Sequence, residues 1–346
     1  MGSSPTSLPC ILLTGALGSG KTTILQDLMR RGDMAGTVLI VNEYGEVGLD
    51  HLLVSTAVET TLLMDNGCMC CSLRGDVVDT ILGLFSAVER GELPPFRRIL
   101  IETTGLADPV PIVRDITLDP ALAGKVHLGA VCTVVDGLLG PGRDAVGENQ
   151  VAQADLCILS KDDLADELEL DLIRERTQAL NPVCRLYLKA RDGLPTTQAL
   201  ETTHDKVAEA SETGHGKGHA HHSHASVHGG VASWSIETTQ PLDWSRVRQW
   251  LDHIYSLHAA RMLRMKGILA IDPAQDQSLG QSLAQDQSQG LLVQAVGPVV
   301  SPPKRIDVAR ADRATSRLVL IFRDLDARAI AESFVAITNH DPEKER

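Results

Sequence analysis

Aromatic residues make up only 3% of this 346-residue chain. A core built without them must rest on leucine, isoleucine, valine and alanine, and a hydrophobic content of 43% is enough to build one. Long apolar runs are missing too. None approaches the roughly 20 residues that a membrane-spanning helix needs, so no membrane partner is expected. The N-terminus lacks the charged and apolar regions of a secretory signal. Met1, Gly2 and Thr6 formally fit a myristoylation pattern, but Pro5 speaks for a short leader instead. Basic residues are outnumbered, 32 against 45 acidic, for a net charge of −13. That balance argues against general nucleic-acid affinity and against an anionic membrane surface. A disulfide framework is absent as well, because three of the seven cysteines crowd into positions 68–71. The expectation is a soluble protein of a reducing cytoplasm, long enough for about two domains.

What is present begins with residues 10–23. The apolar run Ile11 to Leu13 reads as a buried strand, and it empties into Gly15, four residues, then Gly20-Lys21-Thr22. Ile24 to Met29 then start an amphipathic helix. This is the P-loop pattern with a strand before it and a helix after it. The glycines at 15, 18 and 20 let backbone N–H groups, including those of Ser19 and Thr23, curl around phosphate oxygens, and the helix N-terminus adds a favourable partial charge. Lys21 is expected on the β- and γ-phosphates and the Thr22 hydroxyl on Mg²⁺.

Short apolar strands are expected at 37–41, 57–64, 98–101, 126–135 and 156–159, with helices at 76–89 and 163–180 among others. Alternation of this kind implies a mostly parallel sheet covered by helices on both faces. The pattern stops near residue 200. Residues 205–231, rich in His, Gly, Ala and Ser, read as a flexible linker. From Ala232 onward the composition is core-like again. Strands at 234–238, 265–271, 290–296 and 318–322, with helices at 244–257 and 327–337, suggest a smaller C-terminal α+β domain. The division is then 1–204, 205–231 and 232–346. Ala-Gln-Asp-Gln-Ser occurs at 274–278 and again at 284–288, which suggests a solvated hairpin extension.

Three further stretches carry chemistry. The strand at 98–101 ends in Glu102-Thr-Thr-Gly105. A neighbouring strand tip in a P-loop fold places an acid beside the Mg²⁺ shell, which would be Glu102, and Gly105 could offer its N–H to the γ-phosphate. Ser160-Lys161-Asp162-Asp163 follows the strand at 156–159. It is similar to the Asn/Thr-Lys-x-Asp element of G proteins, where a carboxylate at Asp163 accepts from the two donors of guanine and the Lys161 stem covers the base. The plainer alternative makes Asp163 the N-cap of a helix. Cys68-Met69-Cys70-Cys71 is the third. Thiolates favour soft ions, and a tetrahedral Zn²⁺ site would need a fourth ligand such as Glu46 or water. A redox pair or three buried small hydrophobes are the other readings. Six of the twelve histidines fall at 215–228. There His219, His221, His222 and His224 offer exchangeable metal capture on a flexible tether, or serve only as a solvated linker.

Taken together, Gly15 to Thr23, Asn42-Glu-Tyr-Gly-Glu-Val-Gly48, Gly67-Cys-Met-Cys-Cys71, Glu102-Thr-Thr-Gly-Leu-Ala-Asp-Pro109, the His-rich stretch and Arg264-Met-Lys-Gly267 resemble the CobW family of P-loop GTPases. That family is related to the urease and hydrogenase nickel-insertion GTPases. The resemblance runs over nearly the whole chain. It implies a SIMIBI-class GTPase domain, slow GTP hydrolysis, metal at Cys68, Cys70 and Cys71 near the switch loops, and delivery of metal to a client protein recognised by the C-terminal domain. Ala16 stands where the family usually has a bulky aromatic, and Ser160 where Asn or Thr is commoner. The 274–289 insertion has no familiar counterpart.

The function expected is therefore a GTP- and Mg²⁺-dependent metallochaperone, with Zn²⁺ as cargo and Co²⁺ as runner-up. A client metalloprotein is the partner, and a homodimer the expected self-association. The competing classes are an ATP-dependent small-molecule kinase, a non-enzymatic metal store and a thiol-redox switch.

Overall fold

The computed structural model describes residues 7–31, 34–41, 62–63, 69–72, 76–201, 227–228, 230–271, 289–308 and 315–338. They form two compact units, one from the elements up to Glu201 apart from residues 176–184, and one from residues 176–184 together with the elements from Val227 onward.

In the first unit the chain order is β1 (Leu8–Gly15), α1 (Lys21–Met29), β2 (Thr37–Val41), β3 (Leu62–Leu63), β4 (Met69–Ser72), α2 (Val77–Glu89), β5 (Arg98–Glu102), α3 (Val110–Leu118), β6 (Val126–Asp136), α4 (Ala145–Ala152), β7 (Leu156–Ser160), α5 (Glu167–Leu180), β8 (Arg185–Leu188), α6 (Lys189–Asp192) and α7 (Thr197–Glu201). The strands make one sheet in the order β3-β4-β2-β5-β1-β6-β7-β8. Every pairing is parallel except β3 with β4. β1 sits near the middle, and every residue from Cys10 to Gly15 is buried, as expected of a strand covered on both faces. Ile11 and Leu13 join Ile24 and Leu28 of α1 in one core cluster. The α/β sheet expected from the alternation is present. Helices α3 and α4, which the sequence pattern leaves unmarked, fill the crossovers on either side of β6.

Two local expectations change. Of the strand expected at 57–64, only Leu62–Leu63 falls among the described residues, while Met69–Ser72 forms a strand that the cysteine pattern had not suggested. The helix expected at 163–180 begins at Glu167. Its start is set by a reciprocal pair: the Glu169 N–H donates to Asp166 Oδ1 at 2.8 Å, and the Asp166 N–H donates to Glu169 Oε2 at 3.2 Å. Asp163 therefore does not cap this helix.

In the second unit β9 (Val227–His228), β10 (Val231–Thr238), α8 (Trp244–His258), β11 (Met262–Leu269), β12 (Gln289–Val296), β13 (Val299–Val300), β14 (Lys304–Asp307), β15 (Ser316–Arg323) and α9 (Ala327–Thr338) follow in order. The sheet runs β13-β12-β11-β15-β10-β9 with β14 on β12, and all its pairings are antiparallel. This agrees with the α+β expectation. The repeats at 274–278 and 284–288, between β11 and β12, lie outside the described residues.

The few aromatics are concentrated here. Trp234, Trp250 and Phe334 pack with ring centroids 4.9 to 5.7 Å apart, and the Trp250 indole donates to Ser333 Oγ at 2.9 Å. Trp250→Ala removes the centre of that cluster and is expected to cost roughly 3–5 kcal/mol of unfolding free energy. Urea denaturation followed by fluorescence checks this. A loss below about 1 kcal/mol would mean that the cluster is not the anchor of the unit.

Candidate functional site

Parallel pairing brings the C-terminal ends of β1, β5, β6 and β7 to one edge of the sheet. Leu13 is level with Glu102, Gly15 with Val134, and Asp136 with Ser160. The loop from Ala16 to Gly20 leaves β1 at this edge and feeds α1. Gly18 and Gly20 have φ of 76° and 93°, a left-handed conformation that costs glycine little. Gly20 stands at the helix N-cap and has no side chain to bond the first-turn N–H groups, which suits an anion.

Lys21 folds back over the loop. Its ammonium donates to the carbonyls of Gly15 at 2.8 Å and Ala16 at 3.0 Å. Burial lowers its pKa, and the Glu102 carboxylate partly restores it. Glu102 itself is buried at the end of β5. The P-loop lysine and the strand-end acid are thus near enough for the charge of one to act on the other. Thr22 and Thr23 are exposed on the first turn of α1.

Past Glu102, the Thr103 hydroxyl donates to Thr14 Oγ1 at 2.9 Å and its N–H to the Leu13 carbonyl at 2.9 Å. Gly105 lies hard against the P-loop, where an added Cβ would meet Leu17 N at 2.5 Å and Leu17 Cα at 2.6 Å. The Gln150 amide of α4 holds this segment from behind, donating to Ala107 O at 3.0 Å and Gly105 O at 3.4 Å.

On the other side, the Ser160 hydroxyl lies 2.5 Å from the Ser19 carbonyl, which accepts its proton. Lys161 Nζ donates to Gly18 O at 3.0 Å and to Asp136 Oδ2 at 2.5 Å. Asp162 is buried, and its carboxylate accepts from the Ala190 N–H at 2.9 and 3.0 Å. Asp163 is exposed in the turn that follows. Of the tetrapeptide, then, Ser160 and Lys161 grip the P-loop, Asp162 ties down α6, and Asp163 is displayed.

Asp136, Gln150 and the Thr14–Thr103 pair did not figure in the sequence reading. For Asp136 a signal existed, since it closes an apolar strand just as Glu102 does. Gln150 acts from a short helix whose only mark in the sequence is an Asp144 cap.

The loop Asn42 to Gly48 with Glu46, Cys68, and His219, His221, His222 and His224 all lie outside the described residues. Cys70 and Cys71 are described by backbone alone, on β4, level with Leu39 and Ile40 of β2. Among the described residues no group of three or more His, Cys, Asp or Glu could hold a metal ion. Nor, among them, is any helix long and apolar enough to cross a membrane.

The CobW/HypB/UreG nucleotide-binding domain matches residues 9–187, and the cobalamin synthesis protein CobW C-terminal domain matches residues 231–338. The chain belongs to the CobW/HypB/UreG family. Among CobW-family relatives, it is 29% identical over 264 residues to the zinc chaperone YjiA of Escherichia coli K12, covering 75% of this chain and 81% of that one. It is 26% identical to a zinc chaperone CobW from Sinorhizobium sp, over 95% of this chain and 97% of the relative. The crystal structure of the Zn(II)-bound YjiA GTPase superposes with a TM-score of 0.68 over 96% of this chain and 99% of that one, at 24% identity. That superposition establishes a shared fold of a CobW-type nucleotide-binding domain followed by an antiparallel-sheet domain.

Because Gly105 has no room for a side chain, Gly105→Ala must push the 103–107 segment or the P-loop out of place. Nucleotide affinity is expected to fall at least about tenfold, with the far-ultraviolet circular dichroism unchanged. Calorimetric titration checks this, and undiminished affinity would show that the two loops can separate without cost.

Proposed function

We propose that this chain is a GTP-hydrolysing metallochaperone, which binds Zn²⁺ through Cys68, Cys70 and Cys71 and passes it to a client metalloprotein. The observation that carries the nucleotide half is the grip of Ser160 and Lys161 on the P-loop carbonyls of Ser19 and Gly18. It draws the base-reading turn against the phosphate cradle and leaves Asp163 displayed beside it. A carboxylate there accepts from both guanine donors, and adenine has no such pair.

The roles follow from position. Lys21 is surrounded by carbonyls and a carboxylate, and a triphosphate would give its buried ammonium a stronger counter-charge. The Thr22 hydroxyl and the Glu102 carboxylate are hard oxygen donors of the kind Mg²⁺ takes. When bound, Mg²⁺ would neutralise charge on the phosphates. Gly105, pressed on the P-loop, would offer its N–H to the γ-phosphate. Catalysis of this class is mostly positioning and electrostatics, which such a rigid cradle supplies.

For the metal half, the support is adjacency. β4 pairs with β2, and β2 pairs with β5, so Ser72 and Glu102 flank Val41 at one level of the sheet. The cysteine-bearing strand is thus about 10 Å from the Glu102 strand, two inter-strand spacings. The names of YjiA and CobW as zinc chaperones support Zn²⁺ as cargo, with Co²⁺ second. The loop from Asn42 to Gly48 with Glu46 completes the proposed switch, the His219–His224 tract a weak reservoir, and the C-terminal unit the client-reading domain. A cytoplasmic setting and a homodimer belong to the same reading.

Asp163→Ala is expected to cut the preference for GTP over ATP by about 10²-fold and leave thermal stability unchanged, since Asp166 holds the helix start. A preference for ATP over GTP that the substitution leaves unchanged would favour the kinase class instead. Linkage sets the second test. If nucleotide and metal are coupled, Zn²⁺ affinity must shift by about fivefold or more with a non-hydrolysable GTP analogue, and GTP affinity must shift by the same factor with Zn²⁺. Identical zinc titrations with and without the analogue would refute the coupling.

A further inference from the structure

The ends of β6 and β7 are joined by a clamp whose β6 half, Asp136 and Gly137, has no part in the proposed nucleotide chemistry. Two consecutive residues of one strand end hold two consecutive residues of the other. The Gly137 N–H donates to the Ser160 carbonyl at 2.7 Å, and the Asp136 carboxylate takes the Lys161 ammonium at 2.5 Å. The approach is close enough that a Cβ on Gly137 would collide with the Ser160 carbonyl and lie 3.1 Å from both Lys161 C and Asp162 N. Lys161 is held at φ 56°, a left-handed conformation that is unfavourable for a lysine and persists only where its surroundings impose it.

The Asp136 carboxylate is well equipped for this. Its other oxygen, Oδ1, accepts from the N–H groups of Leu138 at 2.8 Å and Leu139 at 3.2 Å, which fixes the plane of the group. Its side chain is 8% exposed, against 36% for that of Lys161. Burial pushes its carboxyl pKa up, but the Lys161 ammonium and the two backbone donors more than offset this, and the net direction is down. The anion is therefore the resting state, held in one orientation beside a long side chain whose ammonium also reaches the Gly18 carbonyl.

We propose that Asp136 is a positioning residue of the nucleotide site: it pins the Lys161 ammonium between its own carboxylate and the Gly18 carbonyl, so that the lysine stem is a preformed platform for the purine ring. The inference rests on the reading that a guanine nucleotide binds beside Asp163. A lysine immobilised before binding loses little rotamer freedom on binding, whereas a freed one must be ordered each time. The advantage applies only to ligands that carry a base. A bare polyphosphate, seated on the P-loop N–H groups and Lys21, gains nothing from it.

Asp136→Asn separates the two jobs of the residue. Asparagine keeps an oxygen for the Leu138 and Leu139 N–H groups, but it turns a neutral amide towards Lys161. Calorimetric titrations with GDP and with tripolyphosphate, on wild type, Asp136→Asn, Lys161→Met and the double variant, test the idea. Asp136→Asn should weaken GDP about tenfold and tripolyphosphate by no more than about twofold. Lys161→Met should lose at least as much GDP affinity, and the double variant no more than Lys161→Met alone. Equal weakening of both ligands would make Asp136 a mere support of the P-loop and overturn the proposal, as would additive losses in the double variant. Unchanged GDP affinity in Lys161→Met would overturn it without recourse to any Asp136 variant. Failure of the underlying reading looks different, because wild type itself would then bind GDP no more tightly than ADP.

Discussion

Backbone hydrogen bonding between β1 and its parallel neighbours is the constraint on which the rest depends. Parallel strands deliver their C-terminal ends to the same edge of a sheet, and here that edge receives the P-loop from β1, Glu102 from β5, Asp136 from β6 and Ser160 from β7. None of these residues is near another in sequence. A one-residue slip in any pairing would turn a strand-end side chain to the other face of the sheet. Burial on both faces of β1 opposes such a slip, since every residue from Cys10 to Gly15 is buried. The apolar core and the site are therefore held by one set of pairings.

Charge at the edge is arranged in two opposed pairs. Lys21 has Glu102 as its acid, and Lys161 has Asp136. In each pair the carboxylate closes a buried strand and the lysine comes from the loop or helix that follows another strand. Buried ions of one sign alone would carry a heavy desolvation cost, so each lysine is brought with a partner. The two pairs differ in their remaining contacts. Lys21 rests on loop carbonyls that a phosphate can outcompete, while Lys161 is fixed on both sides. One is set up to be transferred to a ligand, the other to stay.

Much of the site is legible in the sequence. The P-loop announces itself because phosphate binding by backbone needs glycines at set intervals, and intervals survive in sequence. Glu102 was found through the strand that precedes it. The sequence marks Ser160 and Lys161 for guanine, but it carries no sign of their hydrogen bonds to Ser19 and Gly18. Such contacts join segments 141 and 143 residues apart, and they leave no local pattern. Gln150 escaped for the same reason, and so did the capping role of Asp166, where Asp163 stood as an equally good cap three residues earlier. The aromatics behaved as scarcity suggested in the first unit. In the second unit the three-ring cluster of Trp234, Trp250 and Phe334 was invisible, because its members come from a strand and two helices.

The sequence by itself determined what is local and periodic: the alternation of strands and helices, the phosphate-binding loop, the strand-end acid, and the family to which these belong. Only the tertiary structure decided which side chains meet. Asp136 joined to Lys161, Gly105 pressed on Leu17, and Gln150 behind the 105–107 segment all depend on parallel crossovers that bring distant strand ends within hydrogen-bond range. A contact of 2.5 to 3 Å is settled by the register of a whole sheet, and register is a property of the packed core rather than of any one stretch of chain.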